Sequence, residues 1–121
     1  MTKKTVQTII KDSDCICLHP PFYFKDYEST EIGTDLTNSR YGTVSIKKCL
    51  KCNKLWLHYL VEYEAFSRSG RWFRGLITEK EIERITPENA INFLEKLDWY
   101  FYGGSYFETT ERIGKGEIVD L

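Results

Sequence analysis

The sequence predicts an α+β fold, an antiparallel β-sheet with one helix from the C-terminal half packed on it. Two patterns predict it. Apolar and polar residues alternate through residues 43–48 and 55–66, as they do in strands with one buried face. Apolar residues then recur at helical spacing from Ala90 to Phe101, which indicates a helix covering one side of the sheet. Because 121 residues can bury a substantial core, we expect a single domain over residues 1–121.

The first half of the chain contains three predicted strands. Residues 5–10 form the first, and the aromatic run of residues 22–27 forms a short second one. Residues 28–40 are polar and rich in turn-forming residues, so we expect an exposed loop there. Residues 43–48 alternate and form the third strand, which delivers the chain to Cys49.

The second half begins with the strongest strand, residues 55–66, and continues through a hairpin turn ending at Gly70. Its partner strand is residues 71–78, and residues 79–84 form a short helical turn. The main helix is predicted from the N-cap Thr86, with Pro87 at its first position, to the glycine pair that follows Tyr102. Residues 105–121 are predicted to form a loop that can include one edge strand.

The four cysteines of the chain fall in two tight clusters, and the second cluster is Cys49-Leu-Lys-Cys52. Two cysteines three positions apart can point their thiolates at one ion. Asn53 follows them, and asparagine tolerates the positive φ that such a turn needs. A structural zinc binds four ligands, usually as two close pairs from two loops. The sequence therefore predicts one structural Zn²⁺, with Cys49 and Cys52 as one pair.

The first cluster offers three ligands for the other pair, because Cys15, Cys17 and His19 would share one face of an extended segment. Only two are needed. We take Cys17 as one of them, and either Cys15 or His19 as the fourth ligand, with both choices open.

Two other interpretations of the cysteines are a redox pair and disulfide bonds. Redox C-x-x-C motifs usually precede a helix, whereas Cys52 leads into a predicted strand, so zinc is favoured. Residues 49–54 resemble the knuckle of zinc-ribbon proteins. That resemblance implies a metal and a β-rich neighbourhood, and it implies no catalytic role.

The charge and the apolar segments of the chain limit its expected partners and cellular compartment. The formal net charge is −1, so no global field attracts nucleic acid, and no segment has the length and apolarity of a signal peptide or a membrane span. We expect a cytoplasmic protein that does not enter membranes, in a compartment where thiols stay reduced and available to a metal.

The sequence offers no convincing catalytic set. Its two histidines are His19, beside the cysteines, and His58, in the middle of a predicted strand where a sheet-face role suffices. Glu62 and Glu64 share a strand face, which a solvated or arginine-paired surface explains well. Four ligands would also close a zinc site to substrate. We therefore expect no enzymatic activity.

A binding surface is predicted at the hairpin, where arginines are interleaved with aromatic residues. These types are enriched at binding hot spots and also suit stacking on nucleic-acid bases. The alternative is cross-strand pairing of the arginines with Glu62 and Glu64. The predicted partner-binding residues are Arg68, Arg71, Trp72, Phe73 and Arg74.

Two classes of function follow. The first is a protein-binding module. In size and acidic character the chain is similar to bacterial immunity proteins, which implies that it neutralises a toxin by occlusion, with acidic residues facing a basic toxin surface: Asp26, Glu28, Glu31 and Asp35. The second is a zinc-ribbon protein that binds nucleic acid through the hairpin. The net charge disfavours it, because such binding depends on neutralised phosphates.

Overall fold

The computed structural model describes residues 15–18, 22–37, 41–61, 70–104 and 112–118. They form a six-stranded antiparallel sheet in which each strand lies beside its neighbour in the chain. The strand predicted at residues 5–10 lies outside the described residues. The strands are β1 (Tyr27–Asp35), β2 (Gly42–Cys49), β3 (Leu55–Val61), β4 (Arg71–Ile77), β5 (Tyr100–Gly104) and β6 (Arg112–Gly114).

The central strands β2, β3 and β4 confirm the sequence-based prediction. Along β3, Leu57, Tyr59 and Val61 are fully buried on one face, as the alternation of apolar residues predicts. Tyr59 pairs with Phe73 of β4 in the antiparallel register. The continuation of the predicted strand to residue 66, and the turn before Gly70, lie outside the described residues.

The prediction of an exposed loop over residues 28–40 is wrong for residues 28–35, because β1 occupies Tyr27–Asp35. Residues 36 and 37 form an exposed turn, and residues 38–40 lie outside the described residues. Four consecutive side chains of this strand, residues 28–31, are exposed and polar, so the strand carries no apolar alternation. Its backbone nevertheless pairs with β2 from Tyr27 opposite Cys49 to Asp35 opposite Gly42. Hydrogen bonding of the backbone can hold a strand without any signal in its side chains.

The prediction of an aromatic strand over residues 22–27 is also wrong. A 3₁₀ helix, Phe24–Asp26, stands there, and the Asp26 amide donates to the Tyr23 carbonyl oxygen at 3.0 Å. This turn leads the chain into β1 and leaves Phe24 91% exposed.

Two short helices are described. The first, α1 (Glu79–Ile82), agrees with the predicted helical turn, and Thr78 and Glu81 form its capping box. The second, α2 (Ala90–Glu95), is six residues long. It begins after a turn in which the Asn89 amide donates to the Thr86 hydroxyl at 3.2 Å.

The prediction that this helix continues to residue 102 is wrong, because Tyr100–Gly104 is strand β5, paired with β4. Aromatic residues favour strands, and here they alternate between the two faces of the sheet. Tyr100 packs on the side of α2, and Phe101 packs on the opposite side. Residues 100–102 fit the helical spacing, but as a strand they form backbone hydrogen bonds with the edge of β4 that faces away from β3. This pairing outweighs their propensity to extend the helix.

Gly75 of β4 allows α2 to lie close to the sheet. A Cβ atom at this position would stand 2.3 Å from Leu97 and 2.7 Å from Leu94. Leu94 is fully buried between the helix and the strands. The apolar core on this face therefore forms by close approach of helix and backbone. Its buried members are Val44, Ile46, Leu57, Tyr59, Val61, Phe73, Ile77, Ile85, Ala90, Leu94, Tyr100 and Ile118.

The opposite face of the sheet has a second, smaller cluster, which contains cysteine and aromatic side chains. Its buried members are Cys17, Tyr27, Cys49, Trp56 and Phe101. Cys15, Phe22, Cys52 and Trp72 pack against them in part. The cysteines thus belong to the interior of the fold on this face.

Candidate metal centre

The four cysteines come together in space. Their Sγ atoms all lie within 4.8 Å of one another, with 3.5 Å between Cys15 and Cys49 and between Cys17 and Cys52. A zinc–sulfur distance of about 2.3 Å gives a tetrahedron with edges of about 3.8 Å. The cysteines are free, and their separations are far longer than the roughly 2.0 Å of a disulfide. This group could hold a metal ion, and thiolates are ligands that zinc favours.

The turn that holds Cys49 and Cys52 is closed by backbone hydrogen bonds. The Asn53 amide donates to the Cys49 carbonyl oxygen at 2.8 Å, and the Cys49 amide donates to Lys54 at 2.9 Å. Asn53 has a φ of 64°, as its place in the sequence predicts. The Lys51 amide points at the Cys49 Sγ at 3.4 Å. The turn is thus shaped as a metal-binding knuckle.

The segment that holds Cys15 and Cys17 is not extended as the alternation suggested. Residues Ile16–Leu18 form a 3₁₀ helix, and the Leu18 amide donates to the Cys15 carbonyl oxygen at 2.9 Å. Both sulfurs still reach the knuckle. Cys15 therefore lies close enough to the other three sulfurs to serve as a fourth ligand, while the alternative, His19, lies outside the described residues.

Packing disfavours charge on part of this cluster. Burial raises the pKa of Cys17, and burial likewise raises the pKa of Cys52. At Cys15 burial also raises the pKa, but hydrogen bonds from the Cys17 backbone and from the other cysteines outweigh it and lower the pKa overall. Four thiolates this close together require a cation, and a divalent metal supplies one.

Aromatic side chains cover the inner side of the cysteine cluster. The fully buried Trp56 lies 5.8 Å from Phe101 and 6.1 Å from Trp99, measured between ring centroids. Phe22 lies 5.2 Å from Phe101 and 6.4 Å from Tyr27. These rings keep water away from the inner sulfurs, since Cys17 and Cys49 have no exposed surface.

Arg74 is buried beside these rings, with 5% of its surface exposed. Its guanidinium lies 4.4 Å from the ring centroid of Phe22 and 4.8 Å from that of Tyr27, within cation–π range. Its Nε and Nη1 atoms are buried without a hydrogen-bond partner in the described part of the chain. Burial lowers the pKa of Arg74 to about 10, against the opposing effects of Tyr27 and Cys17, so the side chain stays charged at neutral pH.

Lys47 and His58 share this face of the sheet with Arg74. Lys47 donates to the Ser29 hydroxyl at 3.0 Å. His58 stacks on Trp72, with 6.2 Å between ring centroids, and stands opposite Arg74 in the register. Burial, then the charges of Arg74 and Lys47, hold the pKa of His58 well below its usual value. His58 is therefore a neutral residue of the sheet face.

The predicted partner-binding residues do not share one exposed surface. Phe73 and Arg74 are each 5% exposed, so their assignment to an exposed contact surface disagrees with the structure. They are neighbours on a strand and point to opposite covered faces, Phe73 into the core under α2 and Arg74 towards the cysteines. Arg71 and Trp72 are half-buried. Arg68 lies outside the described residues.

A different exposed group, which the sequence analysis did not identify, lies at the cysteine end of the molecule. Tyr23 is 56% exposed, Phe24 91% and Leu50 58%, and we call these three residues the apolar tip. The Leu50 amide donates to the Asp26 carbonyl oxygen at 3.0 Å, which joins the two loops. The position of Leu50 between two predicted ligands was the available signal, because a residue between two ligands in such a turn faces outward.

No family model, no curated protein and no solved structure matches this chain. Among the described residues, every helix is too short and too polar to cross a bilayer.

Proposed function

We propose that this chain is a small zinc-containing module that binds another protein. One structural Zn²⁺ is held by Cys15, Cys17, Cys49 and Cys52, and the contact surface is the apolar tip. The observation that carries the proposal is the convergence of four Sγ atoms within 4.8 Å, from two segments more than 30 residues apart in the chain. Such a set suits a closed structural site, in which the metal joins loops.

The apolar tip belongs to the loops that the metal would join. Leu50 lies inside the knuckle, and its hydrogen bond to Asp26 connects the knuckle to the 3₁₀ helix that carries Phe24. Phe22, two residues earlier, packs against the cysteine cluster. Metal binding would therefore set the orientation of Phe24 without contacting it.

Exposure of the tip supports a protein partner. An aromatic side chain with 91% of its surface in water, beside two other exposed apolar side chains, gives a partner apolar area to bury. Lys25 and Lys51 are exposed next to the tip. The matching surface is an apolar pocket rimmed by carboxylates.

An immunity role, in which the partner is a toxin blocked by occlusion, is a narrower form of this proposal. Of the acidic residues suggested for it, Glu28 and Glu31 are exposed on β1 and Asp26 is half-buried. Asp35 is 3% exposed and accepts a hydrogen bond from the Tyr59 hydroxyl at 2.6 Å, so it is excluded from such a surface.

A second candidate function is binding of single-stranded nucleic acid at the same tip. The pairing of the Tyr23 and Phe24 rings with exposed lysines favours it, because bases stack on such rings while lysines contact phosphates. The formal net charge of −1 weighs against it.

The experiment places a photo-crosslinking phenylalanine analogue at position 24, with position 113 as the control. Ile113 is 67% exposed and belongs to β6, at the opposite edge of the sheet from β1. We expect position 24 to capture one defined protein, position 113 to capture none of it, and denaturing chelation followed by refolding without metal to abolish capture. Purified with that protein, Phe24→Ala should weaken binding by about 1 to 3 kcal/mol.

Equal capture from both positions, or capture that metal removal leaves unchanged, would refute a tip organised by the metal. Tight binding of a random oligonucleotide that weakens steeply with salt would instead support the second candidate. Elemental analysis of the native protein is the companion measurement, with about one zinc per chain expected.

A further inference from the structure

Arg74 carries a buried charge for which the described part of the chain supplies few partners. A buried charge is costly unless another charge or hydrogen bonds compensate it. Arg74 is 5% exposed, yet its Nε and Nη1 atoms have no hydrogen-bond partner there. Cation–π contact with Phe22 and Tyr27 offsets part of the cost but supplies no hydrogen bond to the Nε and Nη1 atoms.

The missing negative charge is available at the metal centre. Four thiolates around one divalent ion carry a net charge of −2. Arg74 shares its surroundings with this centre, because Phe22 and Tyr27, which enclose the guanidinium, pack in the same cluster as Cys17 and Cys49. Lys47 adds a second, half-buried positive charge on the same face, two residues before Cys49 on β2.

We propose that Arg74, assisted by Lys47, is the internal counter-charge of a tetrathiolate metal centre. The inference rests on the proposed zinc site and adds a role for Arg74 and Lys47, two charged residues on the same face of the sheet. Two positive charges balance the −2 of a four-cysteine centre, whereas a centre with His19 in place of Cys15 would carry only −1. Charge balance therefore favours Cys15 as the fourth ligand.

The effect of a counter-charge on stability depends on whether the metal is bound, whereas the effect of a packing residue does not. With the metal bound, the charge of Arg74 faces a dianion and favours the folded state. Without the metal the thiols take up protons, and the same guanidinium loses this counter-charge and keeps only its contacts with Phe22 and Tyr27. Arg74 should thus stabilise the zinc-bound protein and destabilise the metal-free protein.

The experiment compares Arg74→Met, Arg74→Lys and the control Arg84→Met, whose parent side chain is exposed. Apparent zinc affinity is measured by competition with a chelator, and stability of the metal-free protein by denaturant titration. Arg74→Met should bind zinc roughly 10- to 100-fold more weakly, the range for groups that support metal ligands without touching the metal. Arg74→Lys keeps the charge but loses the planar contact with the Phe22 and Tyr27 rings, so its zinc affinity should lie between those of the unchanged protein and Arg74→Met. Arg84→Met should stay within about threefold of the unchanged protein.

The metal-free Arg74→Met protein should be at least as stable as the unchanged metal-free protein. A loss of stability in both states would overturn the inference and show that Arg74 serves packing alone. Unchanged zinc affinity in Arg74→Met would also overturn it, while leaving the zinc site itself intact. Absence of zinc binding in the unchanged protein would instead refute the proposed function.

Lys47→Met provides an independent variant in case Arg74→Met does not fold. Lys47 is half-buried and its head group reaches Ser29, so its replacement disturbs less of the interior. We expect zinc affinity to fall by about three- to tenfold. Failure of Arg74→Met to fold together with unchanged affinity in Lys47→Met would contradict the counter-charge role.

Discussion

The two faces of the sheet are built on different physical principles. The face under α2 is a conventional apolar core, in which Leu94 and Leu57 are fully buried. The opposite face buries thiols, a guanidinium and a neutral imidazole among aromatic rings. Burial of apolar area accounts for the first face. The second face contains a guanidinium and thiols, and burial of such groups in charged form is favourable only beside the opposite charge. The proposed metal centre would meet both needs, because the cation compensates the thiolates and the net negative centre compensates the guanidinium.

This difference predicts unequal responses to substitution. A change under α2 should lower stability and leave metal content intact, whereas a change at the cysteines should alter both. The following predictions are ordered from the largest expected effect to the smallest.

Cys49→Ser should have the largest effect, because it removes a fully buried thiol, one of the four proposed ligands, and one side of the 3.5 Å contact with Cys15. Zinc binding in small structural sites contributes on the order of 10 kcal/mol, which is comparable to the whole stability of a domain. We expect metal content and the free energy of unfolding to fall together, as measured by elemental analysis and denaturant titration. Leu50→Ser, an exposed non-ligand in the same turn, is the control, and full retention of metal by Cys49→Ser would disprove the site.

Leu94→Ala should lower the free energy of unfolding by about 2 to 5 kcal/mol, since it leaves a cavity over Gly75 in the core under α2. Zinc stoichiometry should not change. Denaturant titration with metal analysis checks both expectations, with the exposed Asn92→Ala as the control on the same helix. Loss of zinc from Leu94→Ala would show that the two faces do not respond separately.

Tyr59→Phe should cost about 1 to 3 kcal/mol. The Tyr59 hydroxyl donates to the buried Asp35 carboxylate at 2.6 Å, and its removal takes a hydrogen bond from a buried charge. Thermal or denaturant unfolding measures the loss. Tyr41→Phe is the matched control, because Tyr41 is 61% exposed. Equal stability of the two variants would argue against the Tyr59–Asp35 contact.

His58→Gln should produce the smallest electrostatic effect, and it is detected as a pH dependence because the loss of stacking on Trp72 is the same at every pH. The pKa of His58 is depressed in the folded state by burial and by Arg74 and Lys47, so below about pH 6.5 the unfolded chain binds a proton that the folded chain does not. Stability of the unchanged protein therefore falls as pH drops through this range, and the variant lacks this contribution.

The measurement is denaturant titration of both proteins at pH 7.5 and pH 5.5. We expect the stability difference between them to shift by about 1 kcal/mol in favour of the variant at the lower pH. Any acid-induced loss of metal affects both proteins and cancels in the difference. A difference that does not change with pH would mean that His58 titrates normally in the folded protein.

Much of the central sheet could be predicted from the sequence, because its strands bury one face and alternate accordingly. The knuckle was equally predictable, since the C-x-x-C spacing and Asn53 describe a local turn. β1 could not be predicted in this way, because its side chains are exposed and its structure depends on pairing with β2. The same holds for β5, whose aromatic residues fit a helix pattern until β4 provides a pairing partner.

The sequence by itself determined the local features of this protein: the strand alternation, the short helical turn of α1 and the spacing of the cysteine pairs. Only the tertiary structure decided that Cys15 and Cys17 meet Cys49 and Cys52, that Arg74 is enclosed by Phe22 and Tyr27, and that Phe24 is exposed. The physical reason is the separation along the chain over which each kind of interaction acts. Hydrogen-bonded turns and periodic burial act over a few residues, whereas the surroundings of a buried charge are set by segments that are distant in the chain and adjacent in the fold.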